Sequence, residues 1–119
     1  MGRYFDFNLE VVAGDDQSVR FQWADASGDP VDVSDWDVYY KATSDSTTDT
    51  LTVAPGQVTF SDSGSGTTDT FTILLPNSST DIDDGFYTQE IAVVRDGSTI
   101  ETIARGTLTI VERVTEVTL

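Results

Sequence analysis

Residues 86–114 read FYTQEIAVVRDGSTIETIARGTLTIVERV, and this stretch decides the fold. Apolar and polar residues alternate on both sides of Arg95-Asp96-Gly97-Ser98, where Asp-Gly supplies the positive φ values of a tight hairpin turn. The pattern predicts two long antiparallel strands. On the second, the apolar parity shifts between Ile103 and Leu108, on either side of Gly106, and a β-bulge at Arg105-Gly106 would account for it.

Upstream, the same period of two recurs at Phe5, Phe7, Leu9 and Val11, at Val19, Phe21 and Trp23, at Trp36, Val38, Tyr40 and Ala42, and at Phe71, Ile73 and Leu75. Each run predicts a half-buried strand. Residues 50–53 and 57–61 read as two further short strands of an edge hairpin. Val, Ile and Thr make up 37 of 119 residues and no window repeats at i, i+3, i+4, i+7, so helices are confined to a turn or two. Segments rich in Gly, Ser, Asp and Pro at residues 13–17, 26–32, 44–49, 54–56, 61–68 and 76–84 separate the strands. Seven to nine strands with turn signals about every 8–12 residues predict an all-β antiparallel β-sandwich. At 119 residues it is a single domain over 1–119, large enough to bury about 65% of the surface its unfolded chain exposes.

The composition excludes several chemistries. Six Lys+Arg against 21 Asp+Glu give a net charge of −15, with the cations scattered singly, which argues against a nucleic-acid footprint and a polybasic membrane patch. With no His and no Cys, Ser-His and Cys-His nucleophile pairs, thiolate redox centres, His/Cys zinc sites and disulfides are absent. No apolar run approaches the roughly 18 residues of a membrane span, and the opening residues MGRYFDFNLE lack the apolar core of a secretory signal. These features predict a soluble chain that needs no cofactor.

The most specific local pattern is Asp83-Asp84-Gly85-Phe86-Tyr87-Thr88-Gln89. It resembles the tyrosine corner of immunoglobulin-like domains, D-x-G-x-Y-x-C, in which the Tyr hydroxyl ties the start of a late strand to an upstream backbone group. Asp83, Gly85 and Tyr87 match, while Gln89 stands where the cysteine would be. The resemblance makes Trp36 the core tryptophan and puts Phe21 in the place of the other half-cystine. It implies an immunoglobulin-like sandwich without its disulfide, in which Asp83, Gly85, Tyr87 and Trp36 are structural.

A wider likeness covers nearly the whole chain. Residues 28–36, GDPVDVSDW, look like the G-x-P-v-D-L-t-G-w approach to a strand, and Thr80-x4-Gly85-x-Tyr87, Asp96-Gly97, residues 106–110 (GTLTI) and Val114-Thr115 follow in order. This succession is similar to small immunoglobulin-like modules of tailed-virus particles, including the amino-terminal domains of baseplate upper proteins and related tail or fibre components. The resemblance implies a non-enzymatic virion protein that docks, in multiple copies of a symmetric assembly, onto other virion proteins. A chain that stops at Leu119, with no fibre segment after the domain, fits an adaptor, decoration or stub role. Asp supplies 16 of the 21 acids against a single Lys, which is similar to the surfaces of proteins from extreme halophiles and implies a haloarchaeal virus or another high-salt source.

Acidic clusters are the alternative chemistry. Asp81, Asp83 and Asp84 crowd one loop, and Asp15-Asp16, Asp35/Asp37 and Asp45/Asp49 add oxygen ligands of the kind Ca²⁺ takes. The spacing fails a dedicated calcium loop: counting from Asp81, Phe86 falls at position 6, where the loop needs Gly, and Glu90 at position 10 rather than 12. Nothing places two carboxylates across a cleft as glycosidase chemistry requires. A second function class is a secreted or surface-displayed, Ca-dependent immunoglobulin-like module that binds glycan through loop Asp/Asn and aromatic residues.

Strand parity nominates contact residues. With Trp36, Val38 and Tyr40 facing the core, Tyr39 faces outward, and Phe86 lies opposite Tyr87; exposed aromatics are enriched at interface cores. The strand of residues 5–12 and the carboxy-terminal strand, both beside chain ends, are candidate edges for a partner's strand.

Overall fold

The hairpin of residues 86–114 forms strands β8 (Gly85–Val94) and β9 (Ile100–Val111) in a computed structural model that describes residues 5–44, 46 and 49–114. In the connection, the Asp96 carboxylate accepts the backbone N–H groups of Thr99 at 2.8 Å and Ser98 at 3.0 Å. These bonds hold its carboxyl at about 2, below the ordinary carboxylate range. A depressed folded-state pKa contributes stability that is complete above the unfolded value near pH 4 and is lost as the pH falls toward 2. Asp96→Ala should therefore flatten that part of the acid limb, read as melting temperature between about pH 5 and 2.

The remaining strands are β1 (Phe5–Asp6), β2 (Leu9–Val12), β3 (Gln17–Gln22), β4 (Asp37–Ser44), β5 (Thr50–Val53), β6 (Val58–Ser61) and β7 (Thr70–Leu75). The larger sheet runs β1-β9-β8-β4-β5, with β2 also on β9, and the smaller runs β3-β7-β6. With β4, β8 and β9 as strands C, F and G and β3, β7 and β6 as B, E and D, this is the immunoglobulin arrangement. The fold is an immunoglobulin-like β-sandwich without a disulfide, with nine strands among the described residues. Among the described residues helix is limited to a 3-10 turn at Pro55–Gln57 and one α-turn, α1 (Asn77–Thr80).

Three local expectations are corrected. Residues 50–53 and 57–61 form no hairpin: β5 pairs with β4, β6 pairs with β7, and the two belong to opposite sheets. Pro55 has no N–H for a ladder, and the 3-10 turn it opens, closed by Gln57 Oε1 accepting the Ala54 N–H at 3.0 Å, carries the chain across the sandwich. Parity alone does not tell which sheet a short strand joins.

The bulge lies at Ile103-Ala104 rather than Arg105-Gly106, because Ile91 pairs with Ala104 while Ala92 pairs with Thr102, leaving Ile103 as the extra residue. Both Ile103 and Ala104 are buried, so the bulge puts two consecutive side chains into the core. Finally, β9 is not an edge. Phe5–Asp6 and Leu9–Val12 run parallel to it, whereas the other strand pairs among the described residues are antiparallel.

The core lies between the two sheets. Val38, Tyr40 and Ala42 of β4, with Ile91 and Val93 of β8, face Phe71, Ile73 and Leu75 of β7, all at most 1% exposed. Each large apolar side chain buried this way stabilises by about 1.5–3 kcal/mol.

Candidate functional site

At one end of the sandwich the Tyr87 hydroxyl donates to the Asp83 carbonyl at 2.7 Å, the bond that defines a tyrosine corner. Gly85 between them has φ 139°, a conformation that a side chain would strain. The Asp49 carboxylate stands over the same corner, 3.4 Å from both the Asp83 N–H and the Tyr87 hydroxyl. Its charge is the main reason that the Asp83 carboxyl lies above its ordinary value. Burial, then the charges of Asp49 and Asp83, push Tyr87 up to about 12, so the phenol stays a protonated donor at neutral pH. Tyr87→Phe should cost about 1–2 kcal/mol, read as a lower urea midpoint at unchanged slope.

A cleft of about 630 Å³ opens beside this corner, between the β2–β3 loop, α1 and Arg113. Two of its acids, Asp15 and Asp16, hold the loops together. Asp15 pairs with Arg113, whose Nε also donates to the Ala13 carbonyl at 2.9 Å. Asp16 accepts the Asn77 N–H at 2.7 Å, and the buried Thr80 hydroxyl donates to the Asp15 carbonyl at 2.6 Å. Asp81, Asp83 and Asp84 remain exposed on the rim; among the described residues no three acidic side chains converge as a metal-binding group. Asp35 and Asp37 are exposed at the start of β4, and Asp45 lies outside the described residues.

In the centre, Gln89 does what no periodicity announces. It is fully buried, its Oε1 accepts the Tyr40 hydroxyl at 2.8 Å, and its Nε2 donates to the carbonyls of Phe7 at 3.1 Å and Thr107 at 3.2 Å. Two carbonyls can only accept, which fixes the amide orientation. The side chain thus ties the amino-terminal segment, β4, β8 and β9 together. Phe21, on the facing sheet, lies between Phe7, edge-on at 5.7 Å, and Phe71, tilted at 5.3 Å between ring centroids.

Tyr40 rather than Trp36 is the aromatic bonded to position 89. Trp36 is buried, but just before β4 at the far end of the sandwich, edge-on to Trp23 at 5.3 Å. The Arg95 guanidinium covers this end, 4.5 Å from the Trp36 ring and 3.1 Å from Glu101.

Tyr39 and Phe86 both face outward from the larger sheet, 46% and 66% exposed. They are not neighbours: Tyr39 pairs with Ala92, six residues along β8 from Phe86, a separation of about 20 Å. Between them, the register lays Lys41, Glu90, Arg105 and Asp6 side by side across four strands. Their sequence separation hides this row, and only strand register reveals it.

No protein-family model and no curated protein matches the chain. Among solved structures it is similar to a family 123 glycoside hydrolase from Clostridium perfringens, at 11% identity and a TM-score of 0.53, over 94% of this chain and 24% of that one. The chain thus spans about a quarter of that enzyme's length, and the likeness is one of fold. A VGSC beta subunit aligns at 15% identity and a TM-score of 0.38, over 89% of this chain and 92% of that one.

Proposed function

We propose that this chain is a non-enzymatic structural or adaptor module of a tailed-virus particle, a tail, baseplate, fibre-attachment or capsid-surface component that works by protein–protein contacts in multiple copies. What carries the reading is the ordered succession of residues 28–36, Thr80-x4-Gly85-x-Tyr87, Asp96-Gly97 and residues 106–110, which resembles such modules along nearly the whole chain. Two observations are in keeping with it. The cleft acids Asp15 and Asp16 are engaged in internal bonds, and Tyr39 and Phe86 stand exposed on a sheet face. Mass spectrometry of purified particles should find the chain at stoichiometric copy number; its absence from them would overturn the reading. Glycan binding abolished by a chelator would favour a surface lectin-like module instead.

The source we infer is a high-salt one, from the preponderance of Asp over Lys in a chain of net charge −15. Self-repulsion of this size relaxes as the Debye length falls from about 10 Å at 0.1 M salt to about 3 Å at 1 M. The melting temperature should climb steadily between about 0.1 and 3 M NaCl. A flat profile would reject the halophilic origin.

A further inference from the structure

We propose that the outward face of the larger sheet binds a second copy of this chain, related by a two-fold axis that runs parallel to the strands between β8 and β9. The observation is the charge row. Asp6 pairs with Arg105, Arg105 with Glu90 and Glu90 with Lys41, so four adjacent strands present the sequence −, +, −, + across the sheet. Asp6, Arg105 and Lys41 are exposed and Glu90 half-buried. Among the described residues none of the four is ion-paired within the chain, so their charged ends are available to a partner.

An alternating row of even length is complementary to its own reversal. A two-fold axis along the strands reverses the row, setting Asp6 against Lys41 and Glu90 against Arg105 of the other copy, twice each. An axis along the row instead sets every charge against itself, and like charges in contact are strongly disfavoured. The charge pattern therefore selects one of the two in-plane axes. The smaller sheet offers no equivalent, because its outward positions on β3, Ser18, Arg20 and Gln22, pair with Leu74, Thr72 and Thr70 and bring no acid to meet Arg20.

The area is adequate. The four strands that the axis superposes, about 4.8 Å apart and about eight residues long, make a face of roughly 500 Å² per copy, or about 1,000 Å² for the pair, the size at which a specific interface begins. One row from the charges, Ala92 pairs with Thr102, and the same axis sets Ala92 opposite the partner's Thr102, so two small residues meet there and let the faces approach. The inference rests on the proposed function only in taking the chain to act by protein contacts; it is read on purified protein, and the virion role on particles, so either can fail alone.

The test is sedimentation equilibrium of the full chain near 0.15 M NaCl, where distant charges are screened beyond about 8 Å. The expected species is a dimer of the 12.9 kDa chain. Glu90→Lys and Arg105→Glu should each weaken self-association at least tenfold, because each places like charges opposite one another. Mixed at equal amounts, the two variants should form a heterodimer of about native affinity. The lysine introduced at position 90 of one then faces the glutamate introduced at position 105 of the other, and the second contact keeps its native Arg105 and Glu90. Circular dichroism melts of the single variants check folding, and the outer pair Lys41→Glu with Asp6→Lys replaces the inner pair if either of its variants unfolds. A chain that stays monomeric to about 1 mM, a dimer indifferent to Glu90→Lys, or two folded variants that fail to associate on mixing would each overturn the proposal.

Discussion

Replacing Gln89 by Leu should lower stability by about 3–5 kcal/mol, a large share of the 5–15 kcal/mol typical of a domain. Leu nearly fills the same volume, so a cavity is not the cause. The loss comes from the three groups that Gln89 serves: the Tyr40 hydroxyl and the carbonyls of Phe7 and Thr107. A buried acceptor deprived of its donor costs about 1–3 kcal/mol. Tyr40→Phe removes only the hydroxyl and should cost about 1–2 kcal/mol. In the double variant the cost should be smaller than the sum of the two, because the Tyr40–Gln89 bond is then lost once. Urea denaturation of the four proteins measures this, and a Gln89→Leu loss under about 1 kcal/mol would show that the network does not hold the strands together.

Gly106→Ala should be at least as damaging, by a different route. A Cβ at position 106 would lie 1.7 Å from the Phe7 carbonyl oxygen and 2.6 Å from its carbon. Both are backbone atoms, so no side-chain rotation relieves the contact. The amino-terminal segment must leave β9, taking with it the Phe7 carbonyl that Gln89 bonds and the Asn8 side chain that accepts the Thr107 N–H at 2.8 Å. We expect a loss of at least about 3 kcal/mol. Amide exchange along Leu9–Val12 should accelerate about a hundredfold as that segment opens apart from the rest. Native exchange rates in the variant would mean that the backbone accommodates the methyl, contrary to the geometry.

Legibility in the sequence followed how local each signal is. The strands of residues 86–114 were readable because alternation is a property of neighbouring residues, and the corner because Asp83, Gly85 and Tyr87 fall within five positions. The parity shift on β9 announced a bulge, but parity changes wherever the extra residue sits, and packing of Ile103 and Ala104 decided its place. Gly106 looked like part of that bulge, whereas its absent side chain admits a carbonyl from a residue 99 positions earlier. Likewise, parity with Tyr87 and Ile91 turns Gln89 inward, but the network it joins is not legible, since its partners Tyr40 and Phe7 lie 49 and 82 positions away. The row of Asp6, Arg105, Glu90 and Lys41 required the register of four strands.

The parallel docking of β1 and β2 on β9 also has a mechanical meaning. The segment enters at Phe5 beside Ala104 and the pairing continues to Val12 beside Val111, so residues 5 and 114 leave the pair at opposite ends. Tension between those two points runs along the strands and loads the ladder in shear, all bonds together, instead of peeling them one by one. Rupture under load is governed by the unfolding rate rather than by equilibrium stability. A ladder of this geometry resists tension applied at residues 5 and 114 more strongly than one opened from an end.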